Sequence, residues 1–196
     1  MQSLGKQAGK RTAILQAAAE LFTEKDFHLV LMDDVAVRAQ VGKGTLYRYF
    51  PAKEDLYFAT IFEGWDRLRE ELEEVLGEEG SLEDTLEKAT HQILRYFWDR
   101  RQFVSLVHRL EHTPNGKEST EWYNRRESIV RLIEGVLKRG LKPHALPAGR
   151  GRLLTEMFLG MVRSIILYRG SRDTPQMLAP FVVRVFLDGF RMHVES

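Results

Sequence analysis

The chain has 196 residues, of which 43% are hydrophobic and 29% are charged with both signs mixed, a balance that supports a folded core and excludes a disordered chain. It contains no cysteine, which excludes disulfides, thiol catalysis and cysteine-based zinc sites. The formal net charge is only +1, so total charge does not point to nucleic acid, and any DNA surface must come from local placement.

No apolar stretch approaches the roughly 18 residues that a membrane span requires. The run Met1 to Arg11 is polar and basic and lacks the apolar centre of a signal peptide. A cytoplasmic protein without membrane contact is expected. Arginine outnumbers lysine 20 to 9 and asparagine occurs only at Asn115 and Asn124, a usage that fits either a thermophilic source or a GC-rich genome.

Helical periodicity dominates from the start. Ala13, Ile14, Ala17, Ala18, Leu21 and Phe22 recur in pairs four apart and define one apolar helix face. Asp33 to Ala39 reads as a short helix with acids in its first turn, Lys43 to Phe50 as another, and Pro51 as a break. A longer helix is predicted over Lys53 to Leu76, then a turn at Gly77 to Gly80, with Ser81 placed to cap the next helix as far as about Arg100. A short helix over about Gln102 to His112 ends at the turn Thr113-Pro-Asn-Gly116. Helices over Glu118 to Arg139, Arg152 to Arg169 and Pro175 to Val194 complete the chain, with Gly140 as a C-cap and a loop over Leu141 to Gly151. The expected fold is all-α with about nine helices: a three-helix head over residues 1–52 and a helical body over residues 53–196.

The most informative stretch runs from Asp33 to Leu56 as helix, tight turn, helix, break, helix. Ala36 and Ala39 are small where two short helices would cross, and Val35, Val41, Leu46 and Phe50 are apolar at spacings that bury one side. The second short helix is then left to expose Lys43, Thr45, Tyr47, Arg48 and Tyr49, which are partners for phosphates and base edges. An exposed helix start carrying Lys and Thr suits the major groove, although a plain helical packing unit would share the bare pattern.

The run Val35-Ala-Val-Arg-Ala-Gln-Val-Gly-Lys-Gly-Thr-Leu-Tyr-Arg-Tyr-Phe50, followed by Lys53, Glu54 and Leu56, resembles the TetR family of bacterial repressors. The resemblance covers about Arg11 to Thr60. It implies a fold of nine or so helices, a homodimer, a palindromic operator DNA and a small-molecule effector whose binding releases that DNA, with no cofactor and no enzymatic activity. By position, Lys43, Gly44 and Thr45 would open the recognition helix, Tyr47, Arg48 and Tyr49 would contact phosphates or bases, and Lys53 would clamp a phosphate.

The chain departs from the family pattern at helix starts. It has Leu31 and Ala52 where Thr and Ser are usual, Gln40 where Gly is usual and Gly42 where Ser is usual. A missing Ser or Thr cap costs about 1 kcal/mol, and Gly in its place a few tenths. Gln at a turn position needing positive φ costs roughly another 1 kcal/mol. These departures predict a head that leans on packing against the rest of the protein. Residues 1–53 hold eight basic and five acidic side chains, a net of +3. The acids Glu20, Glu24, Asp26, Asp33 and Asp34 are expected to face away from DNA. Lys6, Lys10 and Arg11 form either an arm along the DNA backbone or a frayed terminus.

In the body, the last two helices are the most apolar. Met157, Met161 and Ile165 on one and Phe181, Val185 and Phe186 on the other are the candidate dimer contacts, which the resemblance implies form a four-helix bundle with the second copy. Phe62, Trp65, Phe97, Phe103, Val107, Leu110, Trp122, Tyr123 and Phe158 are candidates for an apolar effector pocket suited to fatty acyl or aromatic acyl compounds, although core packing accounts for any one of them singly. Arg109, Arg125 and Arg126 could receive an anionic group.

A rival reading starts from His108-Arg-Leu-Glu-His112, which matches H-x-x-E-H. Two histidines four apart share a helix face and can bind one metal, but no second motif supplies the third ligand; only His91 and Glu111 come into question. The alternative is therefore a metal-responsive regulator through His108 and His112, and beyond it a zinc hydrolase; the main reading assigns no metal site. Gly42-Lys-Gly-Thr45 lacks the hydroxyl directly after lysine and the upstream glycine of a phosphate loop, and no G-x-S-x-G occurs.

Overall fold

The computed structural model describes residues 2–98, 117–141 and 149–194. Among them the chain forms eight α-helices and one 3-10 turn, with no strand. These are α1 (Gln2–Glu24), the 3-10 turn (Phe27–Leu29), α2 (Met32–Arg38), α3 (Lys43–Tyr49), α4 (Lys53–Gly77), α5 (Leu82–Trp98), α6 (Lys117–Gly140), α7 (Gly151–Tyr168) and α8 (Pro175–Val194). The expected helix over residues 102–112 lies outside the described residues. Two compact units are present, residues 1–65 and 66–196, and the division falls within α4.

In the first unit, α1 extends back to Gln2, so Lys6, Lys10 and Arg11 lie on a helix and not on an extended arm. Its inner face contributes Ile14, Leu15, Ala17, Ala18 and Leu21 to a buried cluster that also takes Val30, Met32, Val35, Ala36, Leu46, Phe50 and Leu56. The short helices α2 and α3 begin as the sequence implied. Leu31 and Gly42 stand at their N-caps with no side-chain hydrogen bond to the first turn. At α4, Ala52 cannot cap, but the Asp55 carboxylate reaches back to accept its N–H at 3.0 Å, half of a capping box.

The turn between α2 and α3 is a Schellman closure. The Val41 N–H donates to the Ala36 carbonyl at 3.0 Å and the Gln40 N–H to that of Val37 at 3.1 Å. The motif needs a left-handed residue at position 40, and Gln40 takes φ of 53°, the one non-glycine residue with positive φ among those described.

In the second unit, α5 packs against α6, α7 and α8 and is the central helix. Leu86, Ala89, Ile93, Leu94 and Phe97 form its buried stripe. Ser81 caps it as expected: its Oγ accepts the Asp84 N–H at 3.1 Å. Gly140 is no left-handed cap. It ends α6 against the first residue of α5, where a Cβ would lie 2.6 Å from the Leu82 side chain. Glycine is needed there for close approach.

A chain of carboxylates and guanidinium groups ties α6 to α7. Arg152 donates to both oxygens of Glu127, each at 2.7 Å, and to Glu156 at 3.1 Å. Arg126 forks onto Glu156, and Arg131 adds a second cation at Glu127. Hydrogen bonds from Arg152, then from Arg131, hold the Glu127 carboxyl down to about 2 from an ordinary value of 4.5.

Two predictions follow from these local features. Gln40→Gly should raise stability by about 1 kcal/mol, measured by urea denaturation, because it removes the left-handed strain; an unchanged or lower midpoint would contradict the strained turn. For Glu127, the folded value lies below the unfolded one. Its contribution is therefore full above about pH 4.5 and is lost as the pH falls towards 2. Since Arg152 is 39% exposed, solvent screening limits the effect. Glu127→Gln should lower the melting temperature at pH 7 by roughly 2–4 °C, corresponding to about 1 kcal/mol, and should flatten the fall in stability between pH 4.5 and pH 2.

Candidate nucleic-acid interface

α3, described throughout, buries a single side chain, Leu46. Four of its seven residues are left exposed to a partner. Lys43, Gly44, Tyr47 and Arg48 are exposed, and Thr45 and Tyr49 are half-buried. Tyr49 packs against the first unit's buried cluster. Its ring lies 5.6 Å from the Arg48 guanidinium, which fixes Arg48 beside the helix end. Tyr47, 46% exposed, is a large aromatic ring left in water. From α1, Arg11 sits over the Phe50 ring at 5.8 Å, so one cation of the expected arm does stand beside α3.

Gly44 is informative for what surrounds it. A Cβ at this position would meet nothing within 4 Å. Glycine inside a helix costs about 1 kcal/mol relative to alanine, and here no internal packing requires it. The open surface it leaves allows close approach by something outside the fold.

Lys43 and Lys53 have different settings. The Lys43 ammonium donates to Asp33 Oδ2 of α2 at 2.5 Å. This hydrogen bond and the carboxylate charge raise its pKa above the ordinary lysine value. Asp33 thus lies against the start of α3. No sequence motif marks the pair, which lie ten residues apart; the signal was that the first turns of two helices joined by a tight turn are neighbours. The ammonium of Lys53 is surrounded by carbonyls, donating to Phe27 at 2.9 Å and Val30 at 3.1 Å, with His28 at 3.4 Å. It also lies 4.5 Å from the centroid of the Phe27 ring. The remaining acids of this surface are paired: Glu20 and Glu24 with Arg38, and Asp34 with Lys25.

The candidate effector residues divide among several settings. Phe62 and Trp65 are buried on α4 in the first unit. In the second unit, Phe97, Trp122 and Phe158 are buried, whereas Tyr123 is 60% exposed. Phe103, Val107 and Leu110 lie outside the described residues, as do Arg109, Glu111, His108 and His112. Arg125 is forked onto Asp66 at 3.1 and 3.2 Å and Arg126 onto Glu156, so both guanidinium groups are already engaged by carboxylates. Among the described residues no group of three or more His, Asp or Glu side chains could hold a metal ion, and no helix is long and apolar enough to cross a membrane. Of the candidate dimer contacts, Met157, Phe181 and Val185 are exposed, Met161 and Ile165 are half-buried and Phe186 is buried, with its ring 5.0 Å from Phe158.

Comparison with known proteins bears on the whole chain. The pattern of the bacterial regulatory proteins, tetR family, matches residues 14–60, the stretch that contains α2, α3 and the start of α4. The HTH-type transcriptional regulator YhgD of Bacillus subtilis is 30% identical over 142 residues, covering 70% of this chain and 72% of that protein. The fatty acid metabolism regulator protein of the same organism is 24% identical over 155 residues, covering 78% of this chain and 79% of its own length. Among solved structures, the transcriptional regulator FadR of B. subtilis in complex with stearoyl-CoA has a TM-score of 0.72 at 20% identity, over 91% of this chain and 98% of that one. The all-helical architecture, the exposed α3 and these matches agree: the chain belongs to the tetR family of bacterial regulatory proteins and is a DNA-binding transcriptional regulator.

Proposed function

We propose that this chain is a ligand-responsive repressor that binds a palindromic operator as a homodimer and releases it when a hydrophobic acyl compound occupies its body. Residues 1–52 are the DNA-binding head and residues 53–196 the sensing and dimerising body. The observation that carries the reading is α3: one buried side chain, and an outer surface of Lys43, Gly44, Tyr47 and Arg48 with a glycine that the fold itself does not need. Lys43, Thr45 and Tyr47 meet base edges or phosphates in the major groove, and Gly44 allows the duplex to approach the backbone. Arg48 and Tyr49 flank them as backbone contacts. Lys53 reaches a phosphate only by exchanging its carbonyl partners for it, so its first role is to hold the start of α4.

The exposed Met157 on α7 and the exposed Phe181 and Val185, four apart on one face of α8, support a dimer through these helices, because large apolar side chains left in water mark an interaction surface. The acyl class of effector is supported by the fatty acid metabolism regulator among the relatives and by stearoyl-CoA in the similar FadR structure. Buried Phe97, Trp122 and Phe158 supply apolar surroundings of the required kind. The effector acts through its differential affinity for two dimer geometries, one that sets the heads at operator spacing and one that does not. A metal-responsive or hydrolytic alternative is not favoured by these relatives.

Four measurements test this reading. Against an operator selected from random duplexes, Lys43→Ala and Tyr47→Ala should each weaken binding by roughly 1–3 kcal/mol; if both variants bind like the parent, α3 is not the reading helix. Gly44→Ala should stabilise the free protein by about 1 kcal/mol and yet weaken operator binding. Phe181→Glu should shift the sedimentation of the protein from dimer to monomer and abolish tight operator binding at the same concentration. Stearoyl-CoA should raise the melting temperature and release the operator, whereas coenzyme A alone should do neither; no response to any acyl chain length would exclude the acyl class.

A further inference from the structure

Lys43 does not stand free at the start of α3. Its ammonium is held at 2.5 Å by Asp33, which projects from the first turn of α2. Both side chains reach solvent, 67% exposed for Lys43 and 51% for Asp33, so the pair lies on the surface and adds little to stability. The carboxylate does set where the ammonium can be. A lysine stem is flexible, and an untethered ammonium at a DNA surface settles on the nearest phosphate as a point charge.

An ammonium has three N–H donors, and Asp33 takes one, leaving two. In the major groove a guanine presents two acceptors, N7 and O6. Adenine pairs one acceptor with a donor, thymine offers one acceptor beside a methyl group, and cytosine offers a donor. The two donors left on Lys43 therefore match guanine alone among the four bases. The Asp33 carboxylate also repels phosphates, which keeps the tethered ammonium off the backbone.

We propose that Asp33 is a positioning residue for sequence reading: it holds Lys43 as a base contact instead of a phosphate contact, and the base read is a guanine in each operator half-site. The inference rests on α3 being the recognition helix, as argued above.

The test uses the full-length protein and its Asp33→Ala, Asp33→Asn and Lys43→Ala variants. Duplexes selected from a random pool by the parent should carry a guanine at one fixed position in each half-site. Affinity is then measured against salt for the selected duplex, for the same duplex with that G·C pair replaced, and for an unrelated duplex. Asp33→Ala and Lys43→Ala should each lose the guanine preference, a change on the order of tenfold. Asp33→Ala should also bind the unrelated duplex more tightly, with a salt slope steeper by about 0.9 as the released lysine gains a phosphate. Asp33→Asn retains an acceptor oxygen and should keep part of the preference. A double variant combining Asp33→Ala with Lys43→Ala should discriminate no worse than Lys43→Ala alone. The proposal is overturned if Asp33→Ala keeps the guanine preference, or if it weakens all three duplexes equally with an unchanged slope, as loss of a merely structural contact would. If Lys43→Ala binds every duplex like the parent, this proposal fails, and the assignment of α3 fails with it if Tyr47→Ala does the same. If only Asp33→Ala is without effect, the assignment of α3 survives and this proposal does not.

Discussion

A seven-residue helix that buries one side chain cannot hold its own position, and α3 with Leu46 is such a helix. Its placement depends on what its neighbours do at both ends. At the start, the Schellman turn through Gln40 and the Asp33–Lys43 pair join it to α2. At the end, Phe50 enters the buried cluster, and Lys53 fastens the next helix to the chain between α1 and α2. The Lys53 ammonium collects carbonyls at the 3-10 turn, where that of Phe27 also accepts the Val30 N–H at 3.4 Å. A charged donor to carbonyl oxygens is stronger than a neutral one. The head is thus organised around leaving one short helix face uncommitted, with the holding interactions placed beside that face.

This arrangement limits how far the head's net charge of +3 acts as a free positive field. Four of its five acids are paired with neighbouring cations: Glu20 and Glu24 with Arg38, Asp34 with Lys25, Asp33 with Lys43. A head of large positive charge would bind any duplex through its phosphates, and that attraction carries no sequence information. Pairing the cations lowers the common electrostatic attraction and leaves a larger share of recognition to uncharged side chains that α3 exposes, such as Tyr47.

The helices were largely legible because each buries a stripe at a spacing near 3.6 residues, and because local chemistry marks their ends. Ser81 capped α5 where its hydroxyl could reach the Asp84 N–H, and the positive φ at Gln40 followed from a turn that glycine usually occupies. Three features were less legible. Gly140 reads in sequence as a left-handed cap, whereas its reason is Leu82, a contact between residues far apart in the chain. Arg125 and Arg126 read as candidate anion receptors because sequence cannot show that Asp66 and Glu156 reach them. The stretch up to Arg11 reads as an arm or a frayed terminus because its composition is polar, yet α1 continues through it to Gln2. In each case the missing information is a tertiary neighbour or the extension of a helix beyond its apolar stripe, and periodicity reports neither.

The missing caps take on a different meaning once the turn chemistry is known. Leu31, Gly42 and Ala52 leave first-turn N–H groups of three successive helices without the usual Ser or Thr partner. Gln40 adds strain at the one turn between α2 and α3. Hydrophobic burial from Ile14 to Leu56 offsets these local costs without removing them. Segments with weak local hydrogen bonding open at lower free energy than the core they pack on. In this head, that keeps α2 and α3 adjustable as a pair, joined by the Gln40 turn and by the contact of Asp33 with Lys43.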